Sequence, residues 1–293
     1  MKLFHLLLWL CTAIIVATGA VAQTPEPEKE IDHYLCYTVT HKFSGPDVLL
    51  KDQFTDFQTG KLKVGQREYI CNPVAKTLSS SDKPSEFVHG AIHLVCYDIP
   101  AEKFPHSYKI SNQFTLDKDK QRVPVPFTVE ESHMLCVPTG KELVVGKDQK
   151  QPKEPNPSPI DHYKCYLGKL NAPPGLILPT PKVILDDEFL KGLDPNKRTF
   201  QVSDARYLCN PVEKTVVKTG AGAQPPENGA KPAEGAAPKF INGDAHLVCY
   251  ELKPRPLLNK AVLVANQFEP EPKEVRAIDL YMLCLPSTKA PLL

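Results

Sequence analysis

Apolar and polar residues alternate along short runs of this chain, and the runs are rich in Val, Ile, Tyr, Phe and Thr. HYLCYTVT at 33–40, AIHLVCYDI at 91–99, SYKISNQF at 107–114, PFTV at 126–129 and AVLVANQF at 261–268 have this form. Each is bounded by turn residues and predicts a β-strand. No stretch holds a 3.6-residue apolar period over three turns. The 30 prolines interrupt any long helix, because an interior proline costs about 3 kcal/mol there. Short strands at this spacing predict an all-β fold, a sandwich or a small barrel.

The runs recur. IDHYLCY at 31–37 returns as IDHYKCY at 160–166, and YICNPVAKT at 69–77 as YLCNPVEKT at 207–215. HLVCYDI at 93–99 returns as HLVCYEL at 246–252, NQF at 112–114 as NQF at 266–268, and MLCVP at 134–138 as MLCLP at 282–286. Five blocks in one order imply two tandem copies, at 29–139 and 159–288. Inside each copy the series CY, then D/N-x-F, then C-x-P runs twice, which gives each copy two related halves and an approximate two-fold axis. The expected architecture is two tandem disulfide-stapled β-domains joined by a Pro-rich spacer at 140–158. The Ala/Gly/Pro/Glu-rich stretch at 219–238 predicts a disordered surface loop.

Strand alternation decides how the repeated HLVCY is read. Leu94 and Cys96 share one face, and His93, Val95 and Tyr97 the other. A His and a Cys three apart on one strand therefore diverge, against a metal site and for a disulfide. Each C-x-P or CNP block puts its cysteine before a proline, so these cysteines are expected at strand ends. The simplest pairing is within each half: Cys36–Cys71, Cys96–Cys136, Cys165–Cys209 and Cys249–Cys284. The exchanged set, Cys36–Cys136 with Cys71–Cys96, respects the same symmetry, and spacing leaves both open.

Charge and the N-terminus narrow the setting. Lys2, an apolar stretch and Ala20-Val21-Ala22 form a secretory signal over 1–22, which leaves 271 residues and eight cysteines. An even cysteine number in an exported chain reads as a disulfide framework, secreted or periplasmic. Without Lys2, 34 basic residues face 34 acidic ones, which gives no electrostatic basis for nucleic acid as a partner. No later stretch is long and apolar enough for a membrane span.

Chemistry-bearing motifs are sparse. Asp32-His33 and Asp161-His162 suggest a carboxylate-oriented base, but no nucleophile turn accompanies them. The DQF, NQF, DEF and NQF blocks invite a binding reading of Gln113 and Gln267. The better account is that their Asp or Asn caps a turn through its side chain while Phe54, Phe114, Phe189 and Phe268 anchor the core. No acidic cluster has the oxygen spacing of a calcium loop, and no cofactor fingerprint occurs; neither metal nor cofactor is expected. Tyr37, Tyr97, Tyr166 and Tyr250, with His33, His93, His162 and His246, recur on the strand face opposite the cysteines and are the candidate binding residues. With DHYKCY upstream, the HLVCY, NQF and LCVP blocks resemble an uncharacterised family of exported bacterial tandem-repeat domains. That resemblance implies export and a cysteine-stapled β-domain, and no activity or site residue. The expected role is non-enzymatic binding or bridging of an extracellular protein or glycan through two similar domains. An exported hydrolase using the Asp–His strands and a secreted protease inhibitor are the alternatives.

Overall fold

In the computed structural model the described residues are 31–40, 42–54, 61–78, 82–144, 150–217 and 239–292. The stretches expected to be a signal, at 1–22, and a surface loop, at 219–238, lie outside them. The described chain is all-β, with 14 strands and one 3-10 turn at Pro195–Arg198. Among the described residues no helix is long and apolar enough to cross a membrane.

The CY blocks form β1 (Tyr34–Val39), β6 (His93–Asp98), β9 (His162–Leu170) and β12 (His246–Lys253). The second cysteine of each half lies on β4 (Arg67–Pro73), β8 (Val125–Leu143), β11 (Thr199–Val217) or β14 (Glu269–Pro291). These eight strands pair antiparallel in a closed circuit: β1 with β4, then β6, β8, β9, β11, β12, β14 and back to β1. The circuit closes across the copies at two seams. At one, β8 pairs with β9 from Phe127↔Leu170 to Cys136↔Tyr163; at the other, β1 pairs with β14 from Tyr34↔Cys284 to Val39↔Ala277.

Two independent β-domains on a stiff spacer are therefore not what forms. Half a barrel has two bare edges, each a row of unpaired backbone donors and acceptors, and each copy satisfies its edges with the other's. The spacer region also departs from expectation. Residues 140–143 continue β8 and pair with β13 (Leu257–Asn266). Pro152 is buried, and a Cβ on Gly140 would sit 1.9 Å from the Lys153 carbonyl oxygen. The segment after residue 150 thus returns over the strand it left.

Alternation explains the barrel's two cores. Tyr34, Cys36, Cys71, Leu94, Cys96, Met134, Cys136 and their copy-two counterparts point inward. The disulfides are Cys36–Cys71, Cys96–Cys136, Cys165–Cys209 and Cys249–Cys284, the within-half set. Three join directly opposed residues of neighbouring strands, and Cys165–Cys209 joins the paired strands β9 and β11. The cystines touch at the seams, with Cys36 and Cys284 Sγ 3.8 Å apart and Cys136 and Cys165 Sγ also 3.8 Å apart. Eight strands enclose only enough room for side chains, and the remaining interior void is about 10 Å³. The barrel holds sulfur, not ligand.

Cys71 lies near the end of its strand, which stops at Pro73 as expected, but the other three cysteines before proline are not strand-terminal. β8, β11 and β14 run straight through Pro138, Pro211 and Pro286. The missing proline donor falls where a strand changes partner: β11 takes up β2 (Asp47–Asp52) from Val212, and β14 takes up β7 (Lys103–Ser111) from Thr288. These outer strands form a second layer. With β10 (Lys182–Asp186), which pairs with β5 (Ala75–Thr77), and β13 they cover the barrel's outer face. Leu35, Tyr37, Ile70, Val95, Tyr97, Leu208, Val248, Tyr250 and Leu283 are buried there.

Candidate binding cleft

The four candidate tyrosines and four candidate histidines sit under this outer layer, in four similar knots. Each D/N-x-F block caps its own turn, as Phe54, Phe114, Phe189 and Phe268 donate their backbone N–H to Asp52, Asn112, Asp187 and Asn266. The same Asp or Asn reaches a tyrosine of the other copy. Tyr37 donates to Asp187 at 2.8 Å and Tyr166 to Asp52 at 2.7 Å. Asn112 donates to the Tyr250 hydroxyl at 3.0 Å, and Asn266 to that of Tyr97 at 2.9 Å. The paired phenylalanine packs on that tyrosine at 4.9 to 5.3 Å between ring centroids.

A lysine five residues after each second cysteine completes the knot. Lys76, Lys141, Lys214 and Lys289 lie over Phe114, Phe189, Phe268 and Phe54 at 5.5, 4.4, 4.4 and 4.2 Å. The middle residue of the block meets this ammonium in three knots, through Gln113, Glu188 and Gln267. Gln53 instead donates to the Gly243 carbonyl at 2.6 Å. The four tyrosines do not form the expected surface platform: all four rings are at most 3 % exposed, because the fold uses their outer face to clasp the other copy. Of the four, only Tyr250 lines the cleft in copy two.

The histidines stand beside these lysines. Burial, then the Lys76 ammonium, lowers His33 to about 3; burial, then Lys214, does the same to His162. His93 and His246 are likewise held well below the usual imidazole range by burial and by Lys141 and Lys289. Burial also takes Lys289 down to about 7 and Lys214 to about 8. The acids beside His33 and His162 do not orient them. Asp32 accepts the backbone N–H of Val88 and His89 at 2.6 and 2.7 Å, and Asp161 those of Ile241 and Asn242 at 2.8 Å each. They staple loops onto the barrel, which removes the geometry an Asp–His base requires. Among the described residues no three His, Cys, Asp or Glu side chains gather in a metal-holding group.

The two copies differ in what fills the space above these tyrosine and phenylalanine rings. In copy one, Arg67 binds Glu269 through Nε at 2.9 Å and through a second, shorter contact. Its guanidinium lies 5.0 Å from the Phe43 ring centroid, and Phe43 packs on Tyr97 at 4.8 Å. Tyr97 donates to Glu269 at 3.1 Å. Phe43, Arg67 and Glu269 together plug the space above Tyr97 and Phe268. The equivalent positions in copy two are small. Ala205 stands four before Cys209 as Arg67 stands four before Cys71; Ala172 stands seven after Cys165 as Phe43 does after Cys36. Thr115 stands three after Asn112 as Glu269 does after Asn266.

Where copy one has a plug, copy two has an open cleft of about 720 Å³. Its floor is Phe114, Ala205 and Tyr250, and Leu170 at the end of β9 with Ala172, Leu178 and Pro179 of the segment before β10 wall one side. Gln201, Ser203, Asp204, Arg206, Glu251 and Lys253 stand around it. Glu251 is held by Arg255 at 2.9 Å and by the Tyr281 hydroxyl at 3.2 Å, while Arg206 is 3.9 Å away and about half exposed. An apolar floor under polar groups of both signs suits a ligand with a ring or apolar group and hydrogen-bonding flanks. Of these residues only Tyr250 was a candidate binding residue, and Phe114 belongs to an NQF block; the others carry no motif. The signal was a difference between copies, QREYIC against DARYLC, rather than a likeness.

Comparison with protein-family models, curated proteins and solved structures finds no match to this chain.

Proposed function

We propose that the chain is an exported, non-enzymatic binding protein that engages an extracellular protein or glycan at the copy-two cleft. The observation that carries this reading is the missing plug. One fold position is filled by Phe43, Arg67 and Glu269 in copy one and left open by the small Ala172 and Ala205 in copy two. A duplicated scaffold that empties one of two equivalent positions has a use for the space. Four cystines support an oxidising compartment. The packed interior supports recognition on the outside of the barrel. Bridging by two separate domains has no support here, since the two copies pair their strands into one barrel.

Ala172 is exposed, so Ala172→Phe can refill the cleft from its rim without disturbing the barrel. Peptide and glycan arrays screened with the wild type and with this variant test the reading. Signals seen with the wild type should vanish with Ala172→Phe at unchanged melting temperature. Signals that survive refilling would place recognition elsewhere.

A further inference from the structure

We infer that the cleft takes an aromatic side chain of a partner polypeptide, in the position Phe43 occupies over the first copy. This rests on the cleft being the binding site and adds what enters it. The copy-one plug is the template. There Tyr97 and Phe268 meet edge to face at 5.3 Å and 82°, and Phe43 lies on Tyr97 at 4.8 Å and 51° as the third ring. In copy two, Tyr250 and Phe114 repeat the edge-to-face pair at 5.2 Å and 77°. The ring pair is kept and the third ring is missing. Such tilted contacts are favourable beyond the area they bury.

The surroundings fit the same occupant. Leu170, Leu178 and Pro179 give apolar walls. The Arg206 guanidinium, loosely paired with Glu251, is placed at the rim to cover an incoming ring, as Arg67 covers Phe43. Gln201, Ser203 and Lys253 lie where the backbone flanking that ring would pass. The volume exceeds one ring and accommodates the residues on either side.

The chain carries one Trp, at position 9, so protein starting at residue 23 has no indole emission of its own. The blocked tripeptide acetyl-Ala-Trp-Ala-amide is therefore a clean reporter. The expected result is a saturable blue shift of its fluorescence on adding the protein. Acetyl-Ala-Phe-Ala-amide should reverse the shift and acetyl-Ala-Gly-Ala-amide should not. Ala172→Phe should weaken the peptide by at least about tenfold. No saturable shift, or equal affinity in the variant, would overturn the inference. A cello-oligosaccharide followed by saturation-transfer NMR separates the two levels. If it binds, is lost in Ala172→Phe, and the peptide does not bind, the aromatic inference falls while the cleft stands. If neither probe distinguishes wild type from variant, both fall.

Discussion

At the scale of single residues, the four knots use common side chains in an uncommon environment. The histidines lie in dry sites beside ammonium groups, so they stay neutral where an unfolded chain would protonate them. His33 and His162 titrate near 6.5 when unfolded and at about 3 in the fold. Between those values the unfolded chain binds more protons, so their contribution to stability is lost as pH falls from about 6.5 to about 3. Asp32 and Asp187, whose carboxyls burial raises, act in the opposite sense. A paired comparison isolates the imidazoles. Urea midpoints of the wild type should fall more between pH 7 and pH 4 than those of His33→Gln/His162→Gln. Equal falls would mean the histidines do not carry the dependence. Lys289 acts in the same sense as the histidines, in an alkaline window. Its folded value of about 7 lies below its unfolded 10.5, so stability gains from it as pH rises through that interval.

At the scale of elements, much of the barrel was legible and its closure was not. Alternation in HLVCY placed Leu94 and Cys96 on one face and Val95 and Tyr97 on the other, as the strand has them. The Asp of DQF read correctly as a turn cap. What that Asp does beyond its turn, accepting from Tyr166 across 114 residues, has no local signature. The tyrosines were expected at a surface because a period of two says which residues share a face, not what covers it. Arg67 against Ala205 was visible in the aligned blocks, but only the packing around Phe43 gives the difference meaning.

The clasp between outer layer and barrel is open to a double-mutant cycle on Tyr37 and Phe189, which belong to different copies. Phe189→Ala should cost about 3–5 kcal/mol, as for a buried aromatic. Tyr37→Phe leaves Asp187 with one partner fewer and should cost about 1–3 kcal/mol. The double variant should lose measurably less than the sum in chemical denaturation. Additive losses would mean the two side chains do not act as one contact.

At the scale of the whole molecule, the repeat builds one barrel rather than two. Each copy supplies four barrel strands, and the cystines of both copies share one interior cluster. A disulfide closing a loop of 35 to 44 residues stabilises the native state by about 4 kcal/mol in the chain-entropy model. In a barrel closed across two seams that stabilisation belongs to the whole, and not to the half containing the bond. Calorimetric unfolding of the chain with Cys96 and Cys136 both replaced by Ala tests this most directly. The closed barrel predicts a single transition, displaced as a unit below that of the wild type. Two transitions, one of them still at the wild-type temperature, would show that the second copy stands alone and would contradict the shared barrel.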